Sequence, residues 1–205
     1  MKQEKKAALA EFHRNTIQQA AEQLFTEKGV TATSIDEIAK AAGYSKATIY
    51  VYFKGKADIW NNILVSAMIK LKEQVESALA QDISTTQRYF AVCEAVVEFS
   101  EEYPLYFESL LGAIGLGDDE TDHKIFVAGE EIMQAIGQLI QQGIEEGVIR
   151  PDLKFPHITF IFWSCISGII QMASQKEVYF AHSTKSSIEE LRQYGFETLL
   201  NSITV

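Results

Sequence analysis

Apolar residues recur along this chain at intervals of three and four, not two. Ile17, Ala20, Ala21, Leu24 and Phe25 fall at i, i+3, i+4, i+7 and i+8, one stripe of an amphipathic helix. Lys28 and Gly29 follow, a basic last turn and a residue free to adopt a left-handed conformation, so the helix is predicted to stop there. A second stripe runs from Ala57 through Trp60, Ile63, Leu64, Ala67, Met68, Leu71 and Val75. Further helices are predicted over about 86–102, 105–111, 120–146 and 187–202, and one from Pro156 to about Gln175. The 112–119 stretch, with Gly112, Gly115, Gly117, Asp118 and Asp119, is predicted to be a loop, and Arg150-Pro151-Asp152 a turn. No strand-like alternation and no internal repeat stands out, so the fold class expected is all-α.

Two short helices between residues 34 and 53 interrupt this run of long ones. Ser34 with Glu37 three residues on makes a capping box, which starts a helix. Ile35, Ile38 and Ala39 give that helix its apolar face, and Gly43 ends it in a sharp turn. Ser45 then caps a second short helix with Ile49 facing inward. Two short helices joined by a tight glycine turn form a helix-turn-helix, with Ala39 small where the helices cross. The second helix carries Ser45, Lys46, Ala47 and Thr48 at its N-terminus, where a DNA-reading helix meets base edges. Lys46 can donate to guanine O6 or N7, and Thr48 can hydrogen-bond or touch a thymine methyl. Tyr50 and Tyr52 place hydroxyls, and Lys54 and Lys56 ammonium groups, at positions suited to phosphate oxygens.

The overall charge first points the other way. The 205 residues carry 18 Lys and Arg against 28 Asp and Glu, a net charge of −10, which repels phosphate. The charge is unevenly spread. Residues 1–60 hold nine basic and seven acidic side chains, a net of +2, and the remainder is −12. A mildly basic head therefore precedes a larger acidic body. Basic residues near the start, Lys2, Lys5, Lys6 and Arg14, suit either a DNA backbone contact or a solvated tail.

The 33–59 segment resembles the signature of the TetR family of bacterial transcription regulators. Matching features are Ile38-Ala-x-x-Ala-Gly43, Tyr50-x-Tyr-Phe53, Lys56, and Ala20, Leu24, Phe25 and Gly29 upstream. Val51 departs from it, standing where members often carry a polar residue. The resemblance covers roughly residues 12–64. It implies a helix-turn-helix DNA-binding domain over 1–56 and a helical effector-binding and dimerisation domain over 57–205. It also implies a homodimer through the last two helices, a palindromic double-stranded operator, and release by a small effector, most simply as a repressor. The DNA contacts expected are Thr33, Ser34, Tyr44, Ser45, Lys46, Ala47, Thr48, Tyr50, Tyr52, Lys54 and Lys56.

Thirteen of the 22 aromatic residues lie in 89–180. Phe90, Phe99, Tyr103, Tyr106, Phe107, Phe126, Phe162 and Trp163, with His123, are candidates to line an effector pocket, against the alternative of ordinary core packing. Enzyme-like signals are weak. Glu120-x-x-His123 is a single copy of a motif that di-iron bundles use twice, since His13, His157 and His182 have no Glu three residues earlier. The glycines of 112–117 lack the Gly-Lys-Ser/Thr of a phosphate loop. Cys93 and Cys165 have no histidine at a telling spacing and read as buried thiols. No catalytic residue, metal or cofactor is expected. The competing reading is a helical ligand-binding bundle or helical enzyme with an incidental helix-turn-helix. No signal peptide is expected after Met1-Lys-Gln-Glu-Lys-Lys, and the apolar 158–172 stretch is shorter than a membrane span, so a cytoplasmic location with no membrane partner is expected.

Overall fold

The structure is a computed structural model that describes residues 2–111 and 120–205. The expected glycine loop, with Gly112, Gly115, Gly117, Asp118 and Asp119, lies outside the described residues. Among those described, the regular elements are helices: α1 (Lys2–Lys28), α2 (Ile35–Ala42), α3 (Lys46–Tyr52), α4 (Lys56–Leu79), α5 (Thr85–Glu102), α6 (Pro104–Leu110), α7 (Glu120–Glu145), α8 (His157–Thr184) and α9 (Ile188–Ile203). A lone antiparallel bridge joins Ile149 to Thr204.

Serine side chains cap four of these helices, α2, α3, α5 and α9. Ser34, Ser84 and Ser187 each accept the backbone N–H three residues on, and Glu37, Gln87 and Glu190 return the bond to the cap. The boundaries differ from the sequence expectation by more than one residue at two places. α1 begins at Lys2, ahead of the apolar stripe that marks its buried face. α8 runs nine residues past Gln175, through a non-helical Lys176 (φ −119°). At 28 residues, with a mean hydropathy of 1.3 in its most apolar window, α8 is long and apolar enough to cross a membrane by length and composition. Its buried Ile158, Phe162, Ile166, Ile170 and Ala173 are the face of a core helix.

The described residues divide into two units, one of residues 2–67 and 120–125, the other of residues 68–111 and 126–205. In the first, α1, α2 and α3 pack together around Ile17, Phe25, Ile38, Ala39, Ile49 and Phe53. In the second, α5, α8 and α9 bury Tyr89, Phe99, Phe162, Ile166, Phe196 and Leu200. Tyr89 satisfies its buried hydroxyl by donating to the Phe196 carbonyl at 2.8 Å. Gly195 lets α9 lie close on α8, because a Cβ there would meet Ile169 Cδ1 at 2.9 Å. α4 supplies residues to both units.

Candidate nucleic-acid interface

Local chemistry builds the α2–α3 pair from its ends. Ser34 Oγ accepts the Glu37 N–H, and the Glu37 carboxylate accepts the Ser34 N–H at 2.9 Å and a bond from Lys28. The Lys28 bond, then those from Ser34, pull the Glu37 carboxyl from its ordinary 4.5 to about 2. Gly43 closes α2 at φ 74°, and Tyr44 N–H donates to the Ala39 carbonyl at 2.9 Å. Two residues later Ser45 Oγ accepts the Thr48 N–H at 3.1 Å and starts α3. α3 has only seven residues and is pinned by Ile49 and by Phe53, which are fully buried. The Arg14 guanidinium stands 5.2 Å over the Phe53 ring.

With Ile49 inward, the opposite side of α3 faces solvent. Ser45, Lys46, Ala47 and Tyr50 are exposed there, and so is Lys54 beyond it. Val51 is 74% exposed, an apolar side chain on an otherwise polar helix face. Thr48, Tyr44 and Tyr52 are half-buried. Lys46 Nζ pairs with Asp36 on α2 at 2.9 Å, and that bond raises the Lys46 pKa. Both partners are exposed, so a phosphate or base edge can compete for the ammonium.

Two expected contacts sit elsewhere. Thr33 is 2% exposed, and its hydroxyl donates to the Gly29 carbonyl at 2.9 Å. It closes the α1–α2 turn and presents no group to a ligand. Lys56 Nζ donates to the carbonyls of Val30, Thr31 and Thr33 at 2.7, 3.1 and 2.7 Å. All three ammonium protons are engaged with that loop, so a phosphate would have to displace a carbonyl. Ser34 is exposed, with its hydroxyl donating to Glu37.

His13 is a residue that the sequence reading overlooked. It lies four before Ile17, on the extension of the α1 stripe, and its ring reaches both Tyr44 and Tyr52. That i−4 spacing was the available signal.

Among the described residues the aromatic candidates occupy different environments. Phe99, Tyr106, Phe107 and Phe162 are core residues, Phe90, Tyr103 and Trp163 are half-buried, and His123 and Phe126 are exposed. Two ring chains form. Phe99, Tyr103 and Tyr106 follow one another at 5.3 and 6.0 Å, and Tyr89 meets Phe90 and Phe162 at 5.2 and 5.4 Å. Tyr103 also lines an open cleft of ≈ 590 Å³ with Lys70, Gln74, Glu94 and Glu98, and Lys70 Nζ sits 4.5 Å over its ring. His123 falls in the first unit and the other eight candidates in the second.

Among the described residues, no three His, Cys, Asp or Glu side chains gather as a metal site. Glu120 instead pairs with Lys124 at 2.7 Å. Cys93 is buried, and burial pushes its thiol up to about 12, far from a nucleophile's range.

A family model described as bacterial regulatory proteins of the tetR family matches residues 17–63, the whole α2–α3 pair with the ends of its neighbours. YhgD of Bacillus subtilis, an HTH-type transcriptional regulator, is 27% identical over 66% of this chain and 71% of its own. YdeS of the same organism, likewise an HTH-type transcriptional regulator, is 31% identical over 67% of each chain. The crystallised fatty acid degradation regulator FadR of Bacillus halodurans shares the fold at a TM-score of 0.71 and 18% identity, over 92% of this chain and 94% of its own.

Proposed function

This chain belongs to the TetR family of bacterial transcriptional regulators, and from that premise we propose that α3 enters the major groove of a palindromic operator. The observation that carries this reading is the doubly capped α2–Gly43–α3 pair, with Ser45, Lys46, Ala47 and Tyr50 turned to solvent. Lys46 exchanges Asp36 for a base edge, Thr48 reads beside it, and Tyr44, Tyr50, Tyr52 and Lys54 hold phosphates. A domain boundary near residue 56 separates this head from the effector-binding and dimerisation body.

Two chains associate through α8 and α9, so that two copies of α3 meet two half-sites of the operator. Exposed Phe160, Ile161, Met172 and Tyr194 on these helices support that surface. A small effector binds the body and shifts the population away from the DNA-competent spacing, which makes the protein a repressor. α4, with residues in both units, is the element through which that shift passes. The protein works in the cytoplasm and catalyses no reaction.

The test is a gel-shift on the DNA upstream of its own coding region, at two salt concentrations. A discrete complex that weakens steeply with salt is expected. Equal affinity for unrelated duplex would overturn the reading. A thermal-shift screen of small molecules, followed by operator release with any hit, tests the effector arm. A stabilising hit that leaves DNA affinity unchanged would remove it.

A further inference from the structure

His13 belongs neither to the expected DNA contacts nor to the apolar core, yet it touches the residues at both ends of α3. Its Nδ1 lies 2.6 Å from Tyr44 Oη. Its ring stands edge-on to Tyr44 with centroids 5.4 Å apart, and lies 5.4 Å from the Tyr52 ring. Phe12 backs it at 5.8 Å. Tyr44 immediately precedes the Ser45 cap, and Tyr52 is the last residue of α3.

A helix of seven residues has too few internal hydrogen bonds to hold itself straight or in place. Ile49 and Phe53 anchor one face and so fix how deeply α3 sits. They leave it able to pivot about that anchor, and contacts at the two ends oppose the pivot. One side chain on α1 reaches both ends, beside the Lys46–Asp36 pair at the first. On the reading of α2 and α3 as a DNA-reading pair, we propose that His13 is a positioning residue that sets the rotation of α3 in the groove through Tyr44 and Tyr52.

The contact also decides what Tyr44 offers to DNA. A tyrosine hydroxyl has one proton, and a neutral imidazole nitrogen either donates or accepts. With Nδ1 accepting, the Tyr44 proton is spent on His13, and lone pairs face the phosphates. With Nδ1–H donating, the Tyr44 O–H is left for a phosphate oxygen. On this reading a bound duplex favours the tautomer of His13 that donates from Nδ1.

Asn offers an N–H donor near the Nδ1 position, and Leu offers bulk without one. The test uses the full chain, a duplex enriched by the wild-type protein from a random library, and a shuffled duplex of the same composition. Dissociation constants are measured by fluorescence anisotropy at one salt concentration, with thermal midpoints alongside. His13→Leu is expected to weaken the selected duplex roughly 10-fold, the upper end of what one neutral hydrogen bond contributes. The shuffled duplex should change much less, and His13→Asn should recover most of the loss. Wild-type affinity in His13→Leu overturns the proposal, as does an equal loss on both duplexes without rescue by Asn. If His13→Leu does not fold, His13→Asn is compared with Tyr44→Phe, and Asn binding more weakly than Tyr44→Phe overturns it. A wild-type protein that enriches no duplex removes the DNA-reading premise, and the role of His13 with it. That result is distinct from a wild type that selects DNA and a His13 variant that selects it equally well.

Discussion

Lys46 and Lys54 are both exposed lysines within nine residues of each other, yet they are expected to fail differently. Lys46 sits in the first turn of α3, the turn proposed to meet base edges, and pairs there with Asp36. Lys46→Ala should cost about 1–3 kcal/mol at one base position and relax preference there. Lys54→Ala should weaken every duplex alike and lower the slope of log K against log salt by about one. Competition titrations against single-base variants separate the two. Lys56 is a third case. The sequence places it among phosphate ligands, but its three bonds to the Val30, Thr31 and Thr33 carbonyls make it a staple of the α1–α2 loop. Lys56→Met should lower the thermal midpoint, costing about 1–2 kcal/mol, and leave the salt slope of the remaining folded protein unchanged. A slope reduced by one unit with no loss of stability would return Lys56 to the phosphate set. Glu37 adds a pH dependence. Its carboxyl is depressed in the folded chain, so its contribution is complete above 4.5 and is lost as pH falls toward about 2. Acid titration of Glu37→Gln should show a smaller loss of stability than wild type across that window.

The short elements were legible in the sequence because their ends are written in side chains. Ser34 and Glu37, Gly43, and Ser45 each specify a cap, and the structure forms all three. Ser45→Ala should therefore destabilise the protein by about 1 kcal/mol, and Ile49→Ala by about 2–5 kcal/mol as it opens a cavity under α3, both read from urea unfolding. Less legible were features that depend on what lies across a gap in sequence. Thr33 reads as an exposed polar residue until its hydroxyl is seen to close the turn at Gly29. Lys56 reads as a free cation until the carbonyls some 23–26 residues earlier are placed around it. His13 and Tyr44 are 31 residues apart, and no periodicity pairs them. The environments of the aromatic residues of the body were hidden for another reason. Composition counts rings but does not say which faces of α5, α6 and α8 they occupy. Phe99 and Phe162 turn out to be core, whereas Phe126 is exposed.

At the scale of the whole chain, charge and helix-turn-helix must be reconciled. The net of −10 resolves into +2 over residues 1–60 and −12 beyond. An acidic body repels duplex DNA wherever the reading heads do not meet it, which holds non-specific affinity down while the heads supply specific contacts. The proposed dimer would double those contacts and set half-site spacing near one helical turn or a multiple of it. Substituting Phe160 or Ile161 by Asp should shift the sedimenting species toward the monomer and cost operator affinity together; a monomer that binds the operator as tightly as wild type would separate the two. Sequence-specific DNA reading by α3 is the central claim, and the most direct measurement is equilibrium binding of the full chain to its own upstream DNA and to unrelated duplex, across a salt series. Tight binding to the upstream DNA alone, with a steep loss of affinity as salt rises, is the result expected. Equal binding to both, or no salt dependence, would contradict it.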